Sequence, residues 1–301
     1  MSSKGEMESG LRMGIHQGLK SGMVFSRMDS GIKKGVLSDI GKHNKTQDPT
    51  VGLLGSKKPV IFWLADYTNA TITSTNITTI YNLMQGGTDL SNSGSGSLTW
   101  VYDGMLNNKS YIDLNNANDI ILSTAGYLGG KNEMTLMMVA RMAYPATGRT
   151  LFSFASTTIA DTIGDILVTA DNGQTITVRF VGNPNSTISQ YKTFDPILEG
   201  VNNNSWFLLT VKCRLYQPGG QGSEMEIYVN GKLNMTPVTT TFGGSTSTFT
   251  NAVTPAFGNV VSTQATGGSQ IAGALLLDYW ANSSEQIRLE NFFRWYYGFK
   301  F

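Results

Sequence analysis

Two neighbouring stretches decide how this chain folds: Ser205-Trp206-Phe207-Leu208-Leu209-Thr210-Val211, and then Glu226-Ile227-Tyr228-Val229-Asn230-Gly231-Lys232-Leu233. The first is short, β-branched and aromatic, which suits a buried strand better than a helix. Beyond it, Leu209, Val211, Cys213 and Leu215 recur with period two and share one face. Gln217-Pro218-Gly219-Gly220 breaks the run before Met225-Glu226-Ile227-Tyr228-Val229 starts a second strand. Asn230-Gly231 then predicts a tight hairpin turn, because both central residues of that turn take a positive φ.

The same pattern extends in both directions. Upstream, strands are predicted over Met134–Ala140, Arg149–Phe154, Ile166–Ala170 and Thr175–Phe180, the last two joined by the hairpin signal Asp171-Asn172-Gly173. Downstream, a last strand is predicted over Ala274–Trp280. One helix follows, with Ser283-Ser284 as its cap, Glu285 and Gln286 in its first turn, and Gly298 as its stop. Many short strands separated by Gly, Asn, Ser and Pro indicate an antiparallel β-sandwich.

The Trp206 strand and the strand turning at Asn230-Gly231 resemble the signature of concanavalin-A-like lectin/glucanase and laminin-G-like domains. Gly273–Tyr279 followed by Ser284–Gly298 resembles the closing strand and terminal helix of that family, and Phe62-Trp63-Leu64-Ala65-Asp66 with Asn107–Leu114 resembles its opening. The resemblance implies an all-β fold: a concanavalin A-like antiparallel β-sandwich (jelly roll) over residues 59–301, with a short C-terminal helix and an N-terminal Gly-repeat arm over residues 1–58. Domains of this kind are frequent in bacteriophage structural proteins, which makes a virion protein one expectation.

The arm differs in character from the body. Gly10, Gly14, Gly18 and Gly22 recur every fourth residue, followed by Leu11, Ile15, Leu19 and Met23; the phase slips and resumes at Gly31-Ile32 and Gly35-Val36. As a lone helix this would be poor, since each interior Gly costs about 1 kcal/mol against Ala. Glycines at this spacing suit close approach of another backbone, so these twelve residues are expected to dock on a partner; a flexible tail is the alternative. The arm carries ten Lys and Arg against five Asp and Glu, so its +5 precedes a body of −4 within a net charge of +1. The whole chain therefore lacks the basic excess of a nucleic-acid binder. No apolar run is long enough for membrane insertion. The first ten residues are polar and no signal peptide is read, so synthesis in a host cytoplasm and location in a virion are expected.

Charged residues are only 14% of the chain, against roughly 25% in average soluble proteins. Gly, Ser, Thr and Asn make up the difference, as in all-β surface proteins. Cys213, the one cysteine, excludes an intrachain disulfide and a thiolate cluster and is expected to be a buried small hydrophobe. His16 and His43, the two histidines, both lie in the arm and have no metal-ligand spacing around them.

Catalysis is not expected. Glu224-Met225-Glu226 puts two acids on one strand face, but the third acid of the glucanase motif is missing. No cofactor is expected. The resemblance allows calcium, for which Asp113, Asp119, Asp161, Asp165, Asp171 and Asn172 supply hard oxygens near loops without forming a compact ligand run. Trp100, Tyr102, Tyr127 and Tyr191 lie near loops and are candidate glycan contacts, whereas Trp63, Trp206 and Trp280 sit in apolar strand patterns and are expected in the core. Two functions are open at this point. One is a non-enzymatic capsid or tail appendage, decorating the particle, anchored by its arm to other virion structural proteins and forming a homo-oligomer. The other is an adhesive module recognising a host surface glycan.

Overall fold

In the computed structural model the chain is described over residues 51–54, 56–65, 70–73, 76–84, 87–92, 98–114, 120–123, 126–142, 149–154, 166–171, 175–180, 190–194, 205–215, 223–235, 248–249, 254–258 and 269–298. The twelve arm positions from Gly10 to Val36 lie outside these residues. Seventeen strands are present among them. They are β1 (Ile61–Leu64), β2 (Ala70–Thr73), β3 (Asn76–Ile80), β4 (Leu90–Asn92), β5 (Thr99–Asp103), β6 (Lys109–Leu114), β7 (Ile120–Ser123), β8 (Glu133–Met142) and β9 (Arg149–Phe154). There follow β10 (Ile166–Asp171), β11 (Thr175–Phe180), β12 (Gln190–Phe194), β13 (Phe207–Arg214), β14 (Glu224–Val229), β15 (Lys232–Met235), β16 (Ala256–Gly258) and β17 (Ser269–Leu277). A short helix α1 (Val51–Leu54), a 3₁₀ turn η1 (Gly104–Leu106) and the terminal helix α2 (Ser283–Tyr297) complete the set.

The strands form two antiparallel sheets. One runs β15-β14-β13-β8-β17-β6-β5, with β1 also paired to β17; the other runs β12-β11-β10-β9-β16-β7-β4-β3-β2. Period-two alternation explains their packing. In β14, Met225, Ile227 and Val229 are buried while Glu224, Glu226 and Tyr228 alternate with them on the opposite face. β13 is buried along nearly its whole length because both its faces are covered. Phe207, Leu209, Val211 and Cys213 enter the core between the sheets. Leu208 points the other way, into a second apolar cluster with Phe62, Val139, Leu275, Leu289, Phe292, Phe293 and Tyr297. That second cluster is the contact between the first sheet and α2, so the fold has three layers at this side.

Three local outcomes differ from the sequence reading. The helix is capped by Asn282, not by Ser283 or Ser284: its Oδ1 accepts from Glu285 N at 2.9 Å, and the Glu285 carboxylate accepts from Asn282 N at 3.0 Å. This reciprocal box satisfies two amide donors at once, which a serine one residue later could not do in this frame. The closing strand occupies Ser269–Leu277 and ends before Trp280, because the chain leaves the sheet to enter the cap. A short helix, α1, lies inside the segment read as arm, with Leu53 and Leu54 buried in the α2 cluster. Gly298 at φ 71° ends α2 as expected, and Asn230-Gly231 turns with φ values of 54° and 80°.

Candidate functional site

The exposed aromatic surface of the described chain gathers on β5, an edge strand of the first sheet. Its sequence, Thr99-Trp100-Val101-Tyr102-Asp103, sends Trp100 and Tyr102 to one face by alternation. Trp100 is fixed: its ring packs against the sandwich core and its Nε1 donates to Ala65 O at 3.3 Å. The Tyr102 ring stacks on it, with centroids 5.9 Å apart and an interplanar angle of 23°. Tyr102 is nevertheless 66% exposed, and Met105, just beyond the strand, is 61% exposed. Across the strand pair Tyr102 faces Ser110, whose hydroxyl is buried without a hydrogen-bond partner.

The opposite face of β5 begins a polar network. Asp103 caps η1 by accepting from Met105 N at 2.8 Å through Oδ1. Its Oδ2 accepts from Arg141 Nη1 at 2.8 Å and from Trp206 Nε1 at 2.9 Å. Arg141 Nε donates to Gln270 Oε1 at 2.5 Å, and Gln270 Nε2 donates to the Tyr111 hydroxyl at 3.4 Å. The Arg141 guanidinium lies 4.8 Å from the Trp206 ring and 5.2 Å from the Tyr111 ring. Burial raises the Tyr111 hydroxyl above its ordinary range, and the neighbouring Arg141 charge opposes the shift. The network locks β5 to β8 and β17 and holds a rigid strand behind the rings.

A second charged cluster lies on the same sheet face around β13 and β14. Lys212 Nζ pairs with Glu226 Oε2 at 2.5 Å; Arg214 pairs with Glu133 at 2.8 Å and with Glu224 at 3.3 Å. The Trp280 ring lies 4.8 Å from Lys212 Nζ and 4.7 Å from the Arg214 guanidinium. Both acids of the Glu224-Met225-Glu226 stretch are thus held by cations of the neighbouring strand. Both carboxylates are thereby tied into the sheet face, and the stretch contains no third acid.

The expected site residues divide accordingly. Trp100 and Tyr102 come together. Tyr127 does not join them: it packs on the core, and its hydroxyl exchanges hydrogen bonds with the backbone of Thr88. Tyr191 lies in β12, and its side chain is outside the described residues, as are Asp119, Asp161, Asp165, Asn172 and the side chain of Asp171. Asp113 is 9% exposed on β6, and among the described residues no three His, Cys, Asp or Glu groups gather to hold a metal. Trp63 is fully buried in the sandwich core, as expected. Trp206 is buried beside Tyr111 in the outer cluster, and Trp280 is only partly buried over the two cations. The expectation of a core Trp280 fails because the strand pattern stops at Leu277. Asp103, Arg141 and Gln270 carry no local motif; only the register joining β5, β6, β17 and β8 makes them neighbours.

No protein-family model and no curated protein matches this chain. Among solved structures it is similar to the binding domain of botulinum neurotoxin serotype D, with TM-score 0.52 and 11% identity over 77% of this chain and 50% of that one. It is also similar to the serotype D ligand-binding domain in complex with N-acetylneuraminic acid, with TM-score 0.51 and 11% identity over 77% of this chain and 50% of that one. A third is botulinum neurotoxin type C, whose cell entry depends on interaction with two ganglioside molecules; the TM-score is 0.50 and the identity 13%, over 78% of this chain and 51% of that one. The chain spans about half the length of the solved structures it matches. At these identities the likeness is one of fold, an antiparallel β-sandwich.

Proposed function

We propose that this chain is a non-enzymatic lectin-like binding module that receives a glycan on the Trp100–Tyr102 platform of β5. The observation that carries the reading is a tyrosine ring 66% exposed to solvent and stacked on a fixed tryptophan. A solvent-facing ring held on an ordered strand presents an apolar face that suits the C–H face of a pyranose. The exposed Tyr102 side chain also carries a hydroxyl that can donate and accept at the edge of this platform. The fold shared with ligand-binding toxin domains supports a binding role, as does the pairing of the acids on β14.

A glycan array that includes N-acetylneuraminic acid-terminated and neutral oligosaccharides tests this. Tyr102→Ala is expected to weaken binding by about tenfold or more while costing only about 1 kcal/mol of stability, the worth of one exposed ring pair. An unchanged array profile for Tyr102→Ala removes the platform from the account.

A second, compatible reading is that of a virion structural protein anchored through residues 1–58, and its support is the small-residue repeat at Gly10, Gly14, Gly18 and Gly22. Leu53 and Leu54 of α1 are buried against α2, Lys57 pairs with Glu285 at 2.9 Å, and its Nζ lies 4.5 Å from the Tyr279 ring. An arm leaving at Val51 therefore starts from a fixed point on the sandwich. Deleting residues 1–50 should leave a folded body that no longer enters particles; normal incorporation of the truncated chain would rule this reading out.

A further inference from the structure

Of the five tryptophans, four pack into an apolar cluster: Trp63 and Trp100 with the sandwich core, Trp206 and Trp295 with the α2 cluster. Trp280 joins neither and is only partly buried. Its backbone is nonetheless fixed. Trp280 N donates to Glu133 Oε2 at 3.0 Å, while Thr135 Oγ1 donates to Tyr279 O and accepts from Ala281 N, each at 2.9 Å. Lys212 and Arg214 lie two residues apart on one face of β13, so both meet the ring from the sheet side and leave its outer face uncovered by them.

Three polar atoms around this ring keep unused hydrogen-bonding capacity among the described residues. The indole Nε1 has no acceptor. Arg214 commits Nε to Glu133 and Nη1 to Glu224 Oε2, which leaves its Nη2 and the Glu224 Oε1 unused. None of the three is a buried atom, and the side chains of Arg214, Glu133 and Glu224 are between 23% and 26% exposed. A ring held rigidly outside both apolar clusters, with two donors and an acceptor at its rim, has the make-up of a small-molecule site.

We propose that Trp280, Arg214 and Glu224 form a second binding site, for a neutral sugar residue. The C–H face of a pyranose packs on the outer face of the indole. Of two neighbouring sugar hydroxyls, one donates to Glu224 Oε1 and the other accepts from Arg214 Nη2, both as charge-assisted hydrogen bonds. Trp280 Nε1 donates to a third sugar oxygen. The local charge sets the class of sugar: Glu133, Glu224 and Glu226 face only Lys212 and Arg214, so an acidic sugar meets an excess of carboxylate. This site does not depend on the Trp100–Tyr102 reading. It lies on the outer face of the first sheet, and β13 stands four strand spacings from β5, about 19 Å.

Indole N–H signals in proton–nitrogen NMR spectra of the full chain test the site, with lactose, maltose, cellobiose and diacetylchitobiose as neutral probes and sialyllactose as the acidic one. At least one neutral probe is expected to shift the Trp280 signal saturably, and sialyllactose is not. Glu224→Gln leaves the ring on its cations but removes the charged acceptor, so it should weaken that binding by about tenfold. Trp280→Phe keeps a ring over the cations, loses the indole donor and should weaken binding as much; circular-dichroism melts accompany both variants. If Trp280→Phe unfolds, Glu224→Gln decides. Tyr102→Ala should leave the affinity at Trp280 unchanged. A Trp280 signal that no neutral probe moves, one moved by sialyllactose alone, or equal affinity in Glu224→Gln overturns the site, as does loss of the shift in Tyr102→Ala. Binding at Trp280 with none at Tyr102 leaves this site standing and removes the platform, whereas binding through Tyr102 with a silent Trp280 does the reverse.

Discussion

Glu290 shows how much one side chain can owe to its surroundings. It lies on α2 and faces the first sheet at 4% exposure, with Oε1 accepting from Thr210 Oγ1 at 3.2 Å and from Gln286 Nε2 at 2.9 Å. Burial raises its carboxyl above the ordinary range, against the lowering by those two hydrogen bonds and by Arg294 and Lys212. The folded state therefore holds this proton more tightly than the unfolded chain. By linkage, stability falls as pH rises from the ordinary value of 4.5 through the raised one, and levels off above it. Glu290→Gln keeps both hydrogen-bond acceptances and removes the titration, so denaturant melts across that window should give a flatter stability–pH profile than the wild type. Equal slopes would show that the carboxyl is solvated. At this scale the sequence was least informative. Neither Glu290 nor the Asp103–Arg141 pair, 38 positions apart in the chain, was singled out from the sequence.

At the scale of elements, α2 is both the clearest local prediction and the place where the cap was misread. Its apolar residues and Gly298 were visible in the chain, because a helix repeats every 3.6 residues and its stop signal is local. The choice among Asn282, Ser283 and Ser284 was not, since all three are good caps and the frame is set by where α2 must land on the sheet. Replacing Asn282 with Ala should cost about 1 kcal/mol, read as a lowered midpoint in thermal or denaturant melts. The same change at Ser283 should cost much less, because it lies inside the helix. Gly273 shows a constraint of another kind: a Cβ there would meet Trp63 O at 2.9 Å and crowd the Tyr297 hydroxyl. That hydroxyl bonds Ala272 O, so the glycine is the gap through which the helix's last tyrosine reaches the sheet backbone.

For the whole molecule, the two-sided first sheet is the organising feature. It has the sandwich core on one face and the α2 cluster on the other, and Cys213 sits fully buried in the former. Burial lifts the Cys213 thiol far above its ordinary range, so it is inert while the sandwich is closed. Labelling by a thiol reagent under native conditions should thus proceed at the rate of global unfolding and accelerate in step with it as denaturant is added. Fast labelling of a chain with native circular dichroism would mean that the core opens locally.

By itself the sequence determined the strands of β9, β11 and β14, the Asn230-Gly231 turn, the terminal helix, the burial of Cys213 and Trp63, and hence an antiparallel sandwich. Each of these depends on neighbours along the chain, through alternation, turn stereochemistry or helical period. It also singled out Trp100 and Tyr102, together with Tyr127 and Tyr191, but only as rings near loops; the strand that puts the first two on one face was not predicted. Only the tertiary structure decided that this strand lies at a sheet edge, that Tyr102 stays in solvent while Tyr127 packs on the core, and that Trp280 covers two cations. Those outcomes follow from strand order and register, which bring together residues as far apart as Asp103 and Trp206 and leave no trace in local spacing.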